Sequence, residues 1–365
     1  MVCLVTGASG FLGSHLARLL VQHGEQVRVL VRPRSQTRAL AGLPVERVGG
    51  DLRDASSLVA AVQGVRRVFH LAADYRLWTP NPQEIYDSNV AGTRHLLAAA
   101  RRAGVEKFVY TSSVATLAVP RGDDLPDEQT QARLEEMIGH YKRSKFLAER
   151  EVLAASRDGL PVVVVNPTAP VGPGDWKPTP TGRIILDFLN GRMPAYVETG
   201  LNLVPVESVA AGHVLAAERG RIGERYILGG RNMMLKEIFA VLSSISGRPS
   251  PRIRLPLALA LVAGYADSFA SRLLGREPRV PLEGVRMARH KMFVNSSKAE
   301  VELGFRAGSI EAALERAVRW YGENNYLKQG QASRHAGPWR EAEAARPAFV
   351  KPKGGPADWR EKTDR

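Results

Sequence analysis

Through the first two thirds of the chain, short apolar runs alternate with longer segments whose apolar positions recur every three to four residues. Val2 to Val5 reads as a buried strand, and Phe11 to His23 as a helix ended by Gly24. Gln26 to Val31, Val45 to Gly49 and Val68 to Ala72 read as further strands, with a helix near Ala55 to Val62. Ile85 to Gly104 reads as one long helix, Phe108 to Thr111 as a strand and Ile138 to Ser156 as another helix. Val162 to Val165 is a run of valines, the pattern of a strand covered on both faces. This alternation predicts β-α-β units around a parallel, doubly wound sheet, an α/β fold.

After Asn166 the texture changes, and Pro167, Pro170, Pro173, Pro178 and Pro180 crowd a loop with Gly172 and Gly174. A loop of this kind, leaving the carboxyl end of a strand, is where a substrate lobe begins. The expected organisation is one domain over 1–327, its cofactor part mainly 1–165 and its smaller C-terminal substrate lobe mainly 166–327. From Lys328 to Arg365 the periodicity disappears into Gly, Pro, Lys and Arg, which predicts a disordered basic tail; Trp339 and Trp359 are its docking candidates. Leu255 to Ala266 carries no charge and is closed by Asp267. It is too short to span a bilayer and reads as a core helix, with shallow peripheral membrane contact as the alternative.

Composition narrows the function classes. With 44% hydrophobic residues the chain has enough apolar surface for a full core. Cys3 is the only cysteine, so no intramolecular disulfide forms and a reducing cytoplasm is expected. No basic segment followed by an apolar stretch precedes Val2, so no secretory signal is expected. The net charge of +14 fits an ordinary basic surface or attraction to anions such as a phosphorylated substrate or an anionic membrane face. The arginines are scattered and no nucleic-acid-binding module is present, which argues against nucleic acid as a partner.

Thr6 to Gly13 reads T-G-A-S-G-F-L-G, between a strand and a helix. Gly7 permits the tight turn, Gly10 lets backbone approach a pyrophosphate, and Gly13 lets helix and strand pack closely, as a Rossmann-type dinucleotide site requires. Ser9, Phe11 and Leu12 complete the cradle, and the helix start offers free N–H groups to phosphate. The second strand ends V-R-V-L-V-R-P-R, without the carboxylate that would bind the ribose of NAD. Arg32 and Arg34 stand where a 2′-phosphate would lie, so NADP is expected, with NAD as the alternative. Asp51 and Leu52 are placed to meet adenine, and Ala72 and Ala73 leave room for the dinucleotide. Asn89 and Pro167 complete the expected cofactor contacts.

Tyr141 and Lys145 are four residues apart and share a helix face. An ammonium there is expected to lower the phenol pKa from about 10 toward working pH. Ser113, at the end of the strand in Y-T-S-S-V-A-T, can hydrogen-bond the same substrate oxygen; Ser112 is the neighbouring alternative. A tuned phenol beside a dinucleotide points to hydride chemistry at a carbon bearing oxygen. Asp74, Tyr75, Arg76 and Trp78 are expected along one wall of the pocket, and Asn166, Lys177, Arg183 and Tyr196 are the other substrate candidates. His140, beside Tyr141, is a candidate second proton donor or a packing residue.

Together with G-D-L-R-D at Gly50 to Asp54, S-N-V-A-G-T at Ser88 to Thr93 and K-A-E-V-E-L-G-F at Lys298 to Phe305, these motifs resemble the extended short-chain dehydrogenase/reductase family. The resemblance implies a Ser113–Tyr141–Lys145 catalytic triad, supported by Asn89. A-A-D-Y-R-L-W, P-T-P-T-G-R-I-I and R-M-P-A-Y-V look like the hopanoid-associated sugar epimerases. That likeness implies a sugar or glycosylated-lipid substrate and epimerisation through a transient ketone; a homodimer is an open alternative that the sequence does not decide. Where nucleotide-sugar epimerases place an arginine for the diphosphate, this chain has Leu201, and Pro205 and Ser208 replace the usual His and Asp. The T-S-S and V-R segments also resemble dihydroflavonol reductases, but Ala118 replaces their flavonoid-binding asparagine. A carbonyl reductase that consumes NADPH is therefore the alternative reaction, and a non-catalytic nucleotide sensor the remaining one.

Overall fold

The computed structural model describes residues 1–327 except 77, 118–124, 131, 275, 277 and 279–281. Ala118 and the tail from Lys328, including Trp339 and Trp359, lie outside the described residues.

The chain runs β1 Val2–Thr6, α1 Phe11–Gln22, β2 Gln26–Val31, β3 Glu46–Gly49, α2 Ala55–Val62, β4 Arg67–His70, α3 Gln83–Tyr86, α4 Gly92–Arg102, β5 Lys107–Thr111, α5 Gly139–Arg157 and β6 Val162–Pro167. It continues through β7 Ala169–Val171, α6 Pro180–Leu189, β8 Ala195–Tyr196, β9 Gly200–Pro205, α7 Val206–Arg219, β10 Arg225–Leu228, β11 Arg231–Met234 and α8 Leu235–Ser246. It closes with β12 Ile253–Arg254, α9 Leu257–Leu273, α10 Leu282–Met287, α11 Ser297–Leu303 and α12 Ile310–Glu323.

The main sheet has seven parallel strands in the order β10-β6-β5-β4-β1-β2-β3. Strand order reverses between β1 and β4, the switch point at which doubly wound sheets bind their ligands. The valines of β6 are fully buried because helices cover both faces: Val163 and Val165 join the core beneath α1 and α7, Val162 and Val164 the core beneath α4 and α5. The chain returns to this sheet after the lobe begins, since α7 packs on α1 and β10 extends the sheet beyond β6.

A smaller core joins α6, α8 and α12 to the mixed sheet β11-β9-β7. Phe188 and Phe239 stack at 5.6 Å within it. The predicted helix over 85–104 is not continuous. A π-turn, Asp87–Ala91, separates α3 from α4 and carries Asn89. Such one-residue insertions re-aim side chains next to functional sites.

The charge-free run near Leu255 is helical, as α9, but it is not a core helix. Leu259, Val262, Tyr265 and Phe269 are all more than half exposed. Among its described residues, the side chains it buries, Ala260 and Ser271, are small.

Candidate active site

The glycine turn closes on itself with a Gly10 N–H to Gly7 oxygen hydrogen bond of 2.9 Å. Gly7 has φ +73°, and a Cβ there would lie 2.7 Å from the Ala72 nitrogen. A Cβ on Gly13 would lie 2.2 Å from the Gly7 oxygen. The turn, the loop after β4 and the start of α1 therefore meet without side chains between them. Gly10 caps α1 with no side chain of its own, and no acidic residue occupies the first turn. That leaves the helix start open to an anion. Ser9, Phe11 and Leu12 lie partly exposed around it.

Arg32 and Arg34 are exposed beyond β2. The Arg32 charge helps hold Asp51 below the usual carboxylate range; the paired hydrogen bonds from Arg53 are the main cause. Leu52 is buried against Gly92 of α4. The Ala72 N–H donates to the Thr6 hydroxyl at 3.2 Å. This set fits a dinucleotide: a backbone cradle that a single Cβ would fill, an open helix start, and cations with no carboxylate at the ribose end.

Ser113 and Tyr141 meet from different elements. Ser113 follows β5, and its Oγ accepts the Ala115 N–H at 3.1 Å. The Tyr141 hydroxyl lies close enough to Ser113 for that side chain to act on its pKa. Burial raises the Tyr141 pKa above its ordinary value, and the Ser113 contact opposes that rise. The expected lowering by Lys145 does not occur here. Lys145 Nζ donates instead to the Tyr110 hydroxyl at 2.8 Å and the Thr111 carbonyl at 2.7 Å. Burial pushes its own pKa down to about 7, and the Glu149 charge opposes that fall. The alternative serine is excluded from the role, because the Ser112 hydroxyl is buried and donates to Glu149.

Several other sequence candidates have structural partners. Asn166 is fully buried, with its Oδ1 unpartnered. Its Nδ2 lies 3.1 Å from the Ser113 carbonyl and 3.0 Å from Glu149 Oε2, so it holds the serine from beneath. Asn89 is 2% exposed. Its amide donates to the Asp74 carbonyl and Ser144 Oγ, both at 2.9 Å, and accepts the Asp74 N–H at 2.7 Å. It braces the loop after β4 against α5 rather than facing a cofactor. Tyr196 belongs to the lobe: it pairs β8 with β12 and its ring meets Phe239 edge-on at 6.0 Å. It lines a surface depression with Glu198, Thr199 and Lys236, away from Ser113 and Tyr141. Pro167 ends β6, buried.

The remaining candidates gather at the mouth. The Tyr75 hydroxyl reaches the Lys177 carbonyl at 3.4 Å. Burial and the nearby Asp175 and Asp74 carboxylates push the Tyr75 pKa up to about 12, and the Arg183 charge opposes them. Asp74 is bound on both oxygens by Arg76, which also pairs with Glu84 at 2.8 Å. The proline-rich loop packs on α1 and on the segment after β2. His15 Nε2 contacts the Pro173 carbonyl at 2.8 Å, and the Arg38 guanidinium lies 4.1 Å from the Trp176 ring. His140 is occupied by the Tyr86 hydroxyl at 3.2 Å.

Sequence reading missed Glu149, although its signal was present. Glu149 follows Lys145 by one helical turn, as Lys145 follows Tyr141. Its carboxylate takes hydrogen bonds from Ser112, Thr116 and Asn166 and pairs with Arg225 at 3.2 Å. Glu283, brought by α10 from far along the chain, accepts the His140 N–H at the start of α5 and had no signal.

Comparison with known proteins bears on the whole arrangement. The chain is 48% identical over 328 residues to a Synechocystis sp. protein with a provisional dihydroflavonol 4-reductase name, covering 89% of this chain and 95% of that one. It is 39% identical over 330 residues to sterol demethylase protein B of Methylococcus capsulatus, covering 90% and 100%. A solved nucleoside-diphosphate-sugar epimerase from Pseudomonas aeruginosa superposes with a TM-score of 0.75 at 28% identity, over 90% of this chain and 99% of that one. The NAD dependent epimerase/dehydratase family model matches residues 3–229. With the parallel sheet, the glycine cradle at its switch point and the Ser113 and Tyr141 side chains at the same sheet edge, this chain belongs to the NAD dependent epimerase/dehydratase family and is an NAD(P)-dependent enzyme.

Proposed function

We propose that the protein is an NADP-linked oxidoreductase that interconverts a ketone and a secondary alcohol on a lipid-class substrate. The observation that carries the chemistry is the approach of the Ser113 and Tyr141 side chains at the sheet edge that carries the glycine cradle. A bound nicotinamide dinucleotide supplies the hydride. Tyr141 gives the proton to the substrate oxygen in reduction and removes it in oxidation, while Ser113 holds that oxygen in line. Lys145 is the group that would hold the ribose hydroxyls, and the turn from Gly7 to Gly13 the pyrophosphate.

The substrate class is argued from the lobe. Leu201 lies in β9 between Met233 of β11 and Met292, an apolar setting where a nucleotide diphosphate would need a cation. Ser208 Oγ is engaged by the Gly308 N–H at 3.0 Å. The name of the Methylococcus relative, a sterol demethylase protein, supports an apolar substrate. The second reading is epimerisation of a sugar or glycosylated lipid, of which a hopanoid conjugate is one form. Tyr75, Lys177 and Arg183 at the mouth favour it, as does the likeness to the Pseudomonas epimerase.

The two readings separate in one assay. Purified protein given NADPH and a panel of steroid and long-chain ketones is expected to oxidise NADPH in step with alcohol formed. Inversion of a sugar carbon with no net NADPH oxidation, by protein that retains its cofactor through gel filtration, would establish the second reading instead.

Cofactor choice is tested at β2. Arg32→Ala is expected to weaken NADPH binding by about 10-fold or more, the worth of one charge-assisted phosphate contact, with little change for NADH. Equal losses for both cofactors in a fluorescence titration would remove the preference for NADP.

A further inference from the structure

Among the described residues, five of the twelve exposed large apolar side chains fall within 259–274, while most of the others stand singly. Scattered apolar residues are ordinary on a protein surface, whereas a cluster marks a contact. The cluster arises because α9 is turned inside out. Ala260, Gly264 and Ser271 face the protein, and a Cβ on Gly264 would sit 3.4 Å from Leu282 of α10. Leu259, Val262, Tyr265 and Phe269, spaced to share one helix face, point outward at 56%, 65%, 53% and 67% exposure.

One cation sits on this face, and the flanking segments are basic. Arg252, Arg289 and Lys291 are exposed, and the Arg286 guanidinium lies 5.5 Å from the Tyr265 ring and donates to its hydroxyl at 2.7 Å. Over 251–291 the sequence carries eight Lys and Arg against three Asp and Glu. No helix among the described residues is long and apolar enough to cross a membrane.

We propose that this face of α9 docks on the surface of an anionic phospholipid bilayer. Its apolar side chains enter the headgroup boundary, and Arg286 with the basic flanking segments meets lipid phosphates. Tyr265 and Phe269 are the residue types that settle at that depth. Charge decides against a second copy of the chain, because apposing two such faces brings like charges together. The helix that carries the docking face is linked to the site through α10, which packs on α9 and whose Glu283 accepts the His140 N–H beside Tyr141. Delivery of a lipid substrate by this route rests on the proposed oxidoreductase reading; the docking itself does not.

The test is flotation of the full-length protein with vesicles of phosphatidylcholine alone or with one third phosphatidylglycerol. The protein is expected to float with the mixed vesicles and to release at high salt. Val262→Glu with Phe269→Glu is expected to weaken partition by about 100-fold or more while leaving the melting temperature unchanged, since both side chains are exposed. Flotation of this variant like the unaltered protein would overturn the proposal, as would indifference of the unaltered protein to both vesicles. So would self-association in sedimentation velocity that the double variant abolishes, which would make the face a contact between copies. Reduction of a water-miscible ketone is expected to be the same in both forms, so failure of docking and failure of the proposed chemistry give different results.

Discussion

Tyr141→Phe is expected to lower turnover by about 10²- to 10⁴-fold, the range for loss of a positioned proton donor. The substitution removes a single oxygen. Ser113 keeps the Ala115 N–H at 3.1 Å, and the Tyr141 carbonyl still accepts from Ser144 at 2.8 Å, so the helix start is not disturbed. The glycine cradle and Arg32 lie elsewhere, and NADPH affinity is expected to be nearly unchanged in a fluorescence titration. The pH dependence has a definite sign. Burial raises the Tyr141 pKa above its ordinary value, so near neutrality the hydroxyl keeps its proton. It is therefore ready to donate in reduction and must lose that proton to act in oxidation. Oxidative kcat/KM should rise with pH through the alkaline range, and reductive kcat/KM should not. Full activity in the phenylalanine variant would remove Tyr141 from the mechanism.

Where a side chain's surroundings come from its own segment, the sequence was a good guide. The glycine turn, the buried valines of β6 and the shared face of Tyr141 and Lys145 are of this kind. Asn166 was misleading because its partners, Ser113 and Glu149, arrive from β5 and α5, and a polar residue at a strand end looks the same whether capped from within or open to a ligand. Tyr196 was misleading for the converse reason: the lobe core supplies Phe239 to cover it. The π-turn at Asp87–Ala91 escapes a search for helical periodicity because one extra residue leaves the pattern nearly intact. The run near Leu255 is apolar on every side, so its pattern does not say which face turns inward. Only the close fit of Gly264 against Leu282 decides that this side packs and that Leu259, Val262, Tyr265 and Phe269 stay outside.

Glu149→Gln is expected to cost on the order of 3 kcal/mol of stability, because it breaks a buried ion pair and leaves its partners unevenly matched. Glu149 Oε2 gathers Ser112, Thr116 at 2.9 Å and Asn166 at 3.0 Å, two residues that flank Ser113 and one that supports its carbonyl. The other oxygen holds Arg225 at 3.2 Å, with only 6% of the Glu149 side chain exposed. A second effect separates tuning from bracing. Burial pushes the Lys145 pKa down to about 7, and the Glu149 charge opposes that fall. The ammonium is populated below that pH and is lost as pH rises through it. Without the carboxylate the loss moves to lower pH, and the alkaline limb of reductive kcat/KM, which reports free-enzyme groups, should move with it. Linkage gives a matching sign in stability. Between the depressed folded pKa and the ordinary lysine value near 10.4, the unfolded chain holds a proton that the folded chain does not, so stability gains with pH across that window. In the glutamine variant the window should open at lower pH. Denaturant titrations at several pH values and a pH–rate profile measure both. A stability loss with an unmoved alkaline limb would reduce Glu149 to a brace for Ser113 and leave the charge state of Lys145 to other groups.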